Sequence, residues 1–190
     1  MDAATRRNLP RPRRLPGDPG TRDAIARMVR VDHAGEYGAA RIYAGQLAVL
    51  KDRPGTGDLI RHMAEQEQQH LDTFQRMIVD RKVRPTALQP VWHAAGFALG
   101  AVTALMGERA AMACTVAVET VIDEHYAAQR DALGPEETEL KETIERFRAE
   151  EVEHRDIGLE NEAELAAGYP VLSAVIKAGS RAAIWLSERF

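Results

Sequence analysis

IRHMAEQEQQHLDTFQRM, residues 60–77, decides the fold. Ile60, Met63, Glu67, His70, Phe74 and Met77 recur at steps of three and four, the period of one face of an α-helix. A carboxylate and an imidazole therefore interrupt the core face itself. LKETIERFRAEEVEH, residues 140–154, repeats the arrangement with Leu140, Ile144, Phe147, Glu151 and His154. Charge directed into a core is costly unless it is paired or bound to metal. Two helices that turn the same Glu-x-x-His pair inward point to one shared internal ligand set, with metal as the simplest explanation.

Two more stripes carry one inward carboxylate each. Glu36 lies among Ile25, Val29, Ala39, Tyr43 and Leu47, and Glu119 among Met112, Val116, Ile122 and Tyr126, each Glu followed seven residues on by Tyr. Glu36 to Glu119 and Tyr43 to Tyr126 span 83 residues, while Glu67 to Glu151 and His70 to His154 span 84. The near-constant offset predicts an internal duplication of a two-helix ligand unit. Four carboxylates and two imidazoles suit two divalent ions, whereas zinc usually takes fewer ligands in a tetrahedron.

Pro and Gly punctuate the rest of the chain. Helical patterning runs over residues 21–51, with Thr21 as N-cap, and stops at Arg53, Pro54 and Gly55; a second helix covers about 58–81. After Pro85 and Pro90 come an uncharged stretch at 91–107 and a helix at 108–132, ended by Gly134 and Pro135. A charged helix at about 135–166 and an amphipathic segment from Gly168 and Pro170 to Phe190 complete six helices. Apolar residues at 45% with aromatics at only 5% fit helix better than strand. Residues 1–20, with four prolines and five arginines, bury too little to offset ordering entropy and are predicted to be a disordered tail. Residues 21–190 are expected to form a single domain of two sequence-related halves. A net charge of −4 with scattered basic residues argues against a dedicated nucleic-acid binder, and the single cysteine, Cys114, excludes an intrachain disulfide framework or a cysteine-based metal site.

One Glu from each of two helices plus Glu-x-x-His from each of two others resembles the ligand set of ferritin-like di-iron and di-manganese carboxylate proteins. The fold class implied is all-α, a ferritin-like four-helix bundle with two additional apolar or amphipathic helices. RVDHAGEYGAARIYAGQ (30–46), HMAEQEQQHL (62–71), VRPT (83–86), ACTVAVE (113–119), EEVEHRDIGLE (150–160) and the C-terminal IWLSERF resemble the demethoxyubiquinone monooxygenase family, from about residue 30 to the end. The resemblance implies ring hydroxylation of a polyprenylated methoxy-benzoquinol, demethoxyubiquinol, in ubiquinone biosynthesis. O2 is the implied oxygen donor, with electrons from NADH or from the quinol itself. It also implies two Fe2+ ions per chain: Glu36 with His70 on one, Glu119 with His154 on the other, and Glu67 and Glu151 bridging.

Other residues near this set carry two readings each. Asp32, one turn before Glu36, and Asp123, one turn after Glu119, are candidates to orient the ligand imidazoles, or are ordinary polar positions. Tyr126 is the candidate catalytic residue, a relay for electrons or protons, with Tyr43 and His125 behind it; the alternative is a packed ring with a satisfied hydroxyl. His33 is on a different helical face from Glu36 and is expected to serve packing or solvent contact. Gly35, Gly38, Ala39 and Ala40 leave room either for a flat quinone ring or for close approach of a second helix.

The start of the chain lacks the apolar core of a secretory signal. Residues 91–107 are shorter than the ~20 a spanning helix needs, so a buried or interfacial helix is expected. Leu172, Val175, Ile176, Ala183 and Leu186 share one helical face, Lys177 and Arg181 lie on another, and Trp185 adds an interface-seeking ring. With a polyprenyl substrate implied, this predicts peripheral attachment to the cytoplasmic face of a bacterial cell membrane, or to the matrix face of the mitochondrial inner membrane. The partners implied are the membrane-embedded quinol and the membrane surface, with a helical lipid-binding accessory protein and a homo-oligomer left open. Two rivals remain: a ferritin- or rubrerythrin-type iron oxidase or peroxidase, against which stand the missing rubredoxin-like cysteines, and a non-enzymatic helical scaffold of a quinone-synthesis assembly.

Overall fold

A computed structural model describes residues 21–190; the expected tail at 1–20 and the capping role of the Thr21 side chain lie outside the described residues. The described residues form six helices and no strand: α1 (Thr21–Leu50), α2 (Thr56–Asp80), α3 (Gln89–Leu105), α4 (Glu108–Ala132), α5 (Thr138–Glu160) and α6 (Tyr169–Ser187). The fifth helix is shorter at both ends than the 135–166 expected. Pro135–Glu137 forms a 3-10 turn ahead of it, and Glu162, in the left-handed region at φ 60°, separates it from a second such turn at Ala163–Leu165.

The inward stripes of α2 and α5 are buried along their whole length, from Ile60 to Met77 and from Leu140 to His154. Those of α1 and α4 are buried apart from Leu47 and Ile122, which are half-buried. Tyr43, Ile60, Met63 and Met112 belong to one apolar cluster; Val29, Phe74, Tyr126, Leu140 and Phe147 belong to another. Along α2 the order Ile60, Met63, Glu67, His70, Phe74, Met77 sets the charged groups between these two clusters. Each large apolar side chain so buried contributes roughly 1.5 to 3 kcal/mol, which offsets the cost of seating charge in the middle.

α1 packs on α2 and α4 on α5, while α3 rests mainly on α1 and α6 mainly on α4. The α1–α3 approach depends on glycine. A Cβ on Gly100 would run into the Ile42 carbonyl, one on Gly45 into the Phe97 carbonyl, and one on Gly96 would lie 2.8 Å from the Gly38 carbonyl oxygen. Arg41 stacks over Phe97 and the Tyr37 hydroxyl bonds His93 Nδ1 at 2.7 Å, closing the same seam.

α3 buries Gly100, Thr103 and Ala104, half-buries Gln89, Trp92, Gly96, Leu99 and Ala101, and exposes the rest, so it is a half-covered surface helix. α6 divides the stripe expected of it. Leu172 and Ile176 pack against the bundle, whereas Val175 is 65% and Trp185 52% exposed. α4 covers one side of α6 only, and the expected single face straddles that boundary. No helix among the described residues is long and apolar enough to cross a membrane.

Candidate metal centre

α1, α2, α4 and α5 deliver Glu36, Glu67, His70, Glu119, Glu151 and His154 to one place, all six fully buried. They form two overlapping groups in which the ligand atoms lie within 4.8 Å of one another: Glu36, Glu67, His70 and Glu151, and Glu67, Glu119, Glu151 and His154. Glu67 and Glu151 belong to both, so each is placed to bridge. His70 Nδ1 stands 3.2 Å from Glu151 and 3.5 Å from Glu36, and His154 Nδ1 stands 3.3 Å from Glu67 and 3.4 Å from Glu151. Two ligand atoms about 2.1 Å from one ion and at right angles to each other lie about 3 Å apart, close to these separations.

The unsatisfied atoms test the fit to metal. Buried polar atoms nearly always have partners. Here Glu36 Oε2, both oxygens of Glu67 and of Glu151, Glu119 Oε2 and Nδ1 of His70 and of His154 have none. A cluster of lone pairs aimed at one another is a cation site in its chemistry, and oxygen donors with two nitrogens fit a pair of first-row divalent ions.

Outer hydrogen bonds fix the inner set. His70 Nε2–H donates to Glu150 Oε2 at 2.7 Å and His154 Nε2–H donates to Gln66 Oε1 at 2.9 Å, which leaves each Nδ1 as the free lone pair. The Tyr43 hydroxyl donates to Glu119 Oε1 at 2.8 Å, and the Tyr126 hydroxyl donates to Glu36 Oε1. Gln66 and Glu150 were not foreseen, although each immediately precedes a bridging Glu and the two share the 84-residue offset. Of the two readings of the aspartates, the ordinary polar one matches their contacts: Asp123 is drawn by Arg148 and Arg155, and Asp32 accepts from Gln129 and lies 3.4 Å from His125. His125 thus contacts Asp32 and Gln129. His33 is buried and bonds Gln75 at 2.8 Å, which ties α1 to α2 and leaves it outside the cluster.

Without cations the cluster is held together by protons. Burial, then the charges of Glu151 and Glu36, push Glu67 well up, and burial with Glu151 and Glu67 does the same to Glu119. Burial opposes charge on His70, but the adjacent Glu151 and Glu36 carboxylates outweigh it and push the imidazole up to about 12. Glu151, which burial alone would raise, is pulled down to about 2 by His154 and His70. A divalent ion supplies the positive charge those protons otherwise provide.

An apolar cavity of about 380 Å³ lies among α1, α3, α4 and α6. Gly35, Gly38 and Ala39, around Glu36, and Val118 and Ile122, around Glu119, form part of its wall; Ala40 does not. A Cβ on Gly35 or Gly38 would meet nothing within 4 Å, so both leave open space on their Cβ side, although the Gly38 carbonyl also faces Gly96 of α3. Trp92 Nε1–H donates to Ser187 Oγ at 3.0 Å, joining α3 to α6 at the cavity.

Four ligand-bearing helices around a buried carboxylate and imidazole cluster define the class: a ferritin-like bundle. The sequence profile of the family described as "Ubiquinone biosynthesis protein COQ7" matches residues 23–187, and the chain belongs to that family. It is 59% identical over 176 residues to the 3-demethoxyubiquinol 3-hydroxylase of Rhodospirillum rubrum, covering 93% of this chain and 83% of that protein. It is 54% identical over 173 residues to the human NADPH-dependent 3-demethoxyubiquinone 3-hydroxylase, mitochondrial, covering 89% and 79%. The 5-demethoxyubiquinone hydroxylase, mitochondrial, of Saccharomyces cerevisiae is 43% identical over 181 residues, covering 87% and 78%. Family membership sets aside the rubrerythrin-type rival.

Proposed function

We propose that this chain is a di-iron monooxygenase that hydroxylates the ring of demethoxyubiquinol in ubiquinone biosynthesis. The observation that carries the reading is the pair of buried ligand groups sharing Glu67 and Glu151, with an apolar cavity against the helices that bear Glu36 and Glu119. Glu36 and His70 would hold one iron and Glu119 and His154 the other. When bound, iron supplies the reduction of O2: with two electrons and two protons, one oxygen atom converts a ring C–H to C–OH and the other leaves as water.

The chain's own residues bind, orient and exclude water. Gly35 and Gly38 leave space for a flat ring, while Val118, Ile122 and Leu99 give it an apolar wall that keeps bulk water out. Tyr126 and Tyr43 hold the terminal carboxylates through their hydroxyls, and Tyr126 is the candidate to pass a proton or electron inward. Several relatives are named as NADPH-dependent, which supports a reduced nicotinamide cofactor as the electron source beside the quinol itself. The crossed Tyr–Glu bonds join positions related by the 83-residue offset, which supports one domain grown from a duplicated two-helix unit.

A polyprenyl tail requires access from lipid. α3 and α6, which flank the cavity, expose Val102, Leu105, Val171, Val175 and Trp185, and this supports docking on a membrane surface. The cytoplasmic face of a bacterial cell membrane is the proposed location, with the matrix face of the mitochondrial inner membrane as the alternative that the mitochondrial relatives support. Metal-free protein reconstituted anaerobically with Fe2+ should take up about two irons per chain and, with isotopically labelled O2 and a short-tailed demethoxyubiquinol analogue, place one labelled atom on the ring. Iron-independent product, or product without label, overturns the reading.

A further inference from the structure

The two halves of the ligand set are chemically identical at the residues that face the metal positions: Glu36 and Glu119, Glu67 and Glu151, His70 and His154, and the hydroxyls of Tyr43 and Tyr126. They differ one shell further out. Glu150, a carboxylate, accepts from His70, while Gln66, an amide at the corresponding position, accepts from His154. Both rings are fully buried, 6.5 Å apart and nearly parallel, with each Nδ1 turned to the shared carboxylates, while His70 stacks on Phe147 and His154 meets Tyr43 edge-on.

Resting on the di-iron reading above, we propose that Glu150 and Gln66 are positioning residues that make the two metal positions unequal, the ion on the His70 side being held more tightly. A hydrogen bond to an ionised acceptor is about twice as strong as one between neutral groups, and only the His70 side has a carboxylate as its acceptor. It draws the Nε2 proton away from the ring and leaves Nδ1 a better donor to a cation. Glu150 also brings a negative charge to the His70 side that Gln66 does not bring to the other. An imidazole oriented by a carboxylate on one side and an amide on the other gives two ions of different affinity and different ligand field. One position then fills, and keeps its ion, before its neighbour.

Equilibrium titration of metal-free protein with Co2+, whose visible bands report the ligand field of each ion, tests this directly. The unaltered chain should bind two ions in two resolved steps. Glu150→Gln should weaken the first step by roughly ten- to a hundredfold, the usual consequence of losing an outer partner, and bring the two steps together. Gln66→Glu should tighten the second step and shift only the band of the second ion, a gain that a merely structural role would not produce. The melting temperature of each metal-free variant confirms that the bundle is intact. Two ions bound with the same affinities and bands in both variants overturn the inference while leaving the di-iron reading standing. Fewer than two ions bound by the unaltered chain overturns that reading, and the inference with it.

Discussion

Tyr126 and Tyr43 stand in equivalent places, each buried and each donating to the terminal carboxylate of the other half, so a role for one is measured against the other. If both only hold Glu36 and Glu119, Tyr126→Phe and Tyr43→Phe should each weaken one ion by about tenfold and leave turnover at saturating iron unchanged. If Tyr126 also relays, its variant alone should lose turnover at full iron occupancy; equal turnover in both variants sinks the relay. Protons held in the metal-free cluster set a pH dependence as well. Burial works against charge on His70, yet the adjacent Glu151 and Glu36 carboxylates raise it to about 12 from an ordinary 6.5, so the folded chain keeps a proton the unfolded chain gives up. That stabilisation is complete below about pH 6.5 and is lost as pH rises toward about 12. Glu67 and Glu119, raised by burial, act in the same direction, and Glu151, lowered to about 2, acts oppositely only below its ordinary 4.5. Metal-free protein should therefore melt at falling temperature as pH is raised above neutrality, with iron-loaded protein much less sensitive. A calorimetric melting point that climbs with pH in the metal-free form contradicts this account.

Glycines of α1 and α3 serve two different duties, and alanine separates them. Gly100→Ala on α3 would drive a Cβ into the Ile42 carbonyl of α1, and overpacking of this kind costs about 1 to 3 kcal/mol, more than the about 0.5 to 1 kcal/mol that alanine gains in a helix. Its melting temperature should fall. Gly38→Ala meets no atom within 4 Å, so it should keep the helical gain, raise the melting temperature and weaken binding of a quinol analogue by filling part of the cavity. A fall in melting temperature for Gly38→Ala refutes the assignment of that space. The ligand stripes of α2 and α5 were legible because each helix carries its own period, and a buried Glu or His at a core step is visible without knowing any neighbour. The partners of the imidazoles were not legible in that way. Glu150 and Gln66 sit beside the stripe, and each bonds a histidine on another helix, 80 and 88 residues away in the chain. Asp32 and Asp123 lie at plausible helical offsets, but Gln129, His125, Arg148 and Arg155 reach them first. The stripe of α6 misled for the same reason, because a single helix does not reveal where its neighbour stops covering it.

The bundle is closed on the α2 and α5 side by its own packing and bears α3 and α6 over α1 and α4, around the cavity. These two outer helices hold much of the exposed apolar surface, with Val102 at 54%, Leu105 at 74% and Val171 at 70%, beside Val175 and Trp185. Five large apolar side chains on the two helices that flank the cavity, neither helix long and apolar enough to cross a bilayer, are the surface on which the proposed docking to lipid is tested. Burial in a core and burial in a membrane stabilise by the same physics but depend on different surroundings. Replacing Val102, Leu105, Val171 and Trp185 with serine should leave the melting temperature and iron content unchanged. It should weaken sedimentation with phospholipid vesicles by at least about tenfold, since each large apolar group removed forfeits roughly 1.5 to 3 kcal/mol and 1.4 kcal/mol is a factor of ten. Turnover of a soluble short-tailed quinol should persist while that of the long-tailed substrate in vesicles falls. Leu172→Ser with Ile176→Ser, on the covered side of the same helix, should do the reverse, lowering the melting temperature and releasing iron. If the first set still sediments with vesicles as the unaltered chain does, these side chains do not face lipid, and access to the cavity must come from elsewhere.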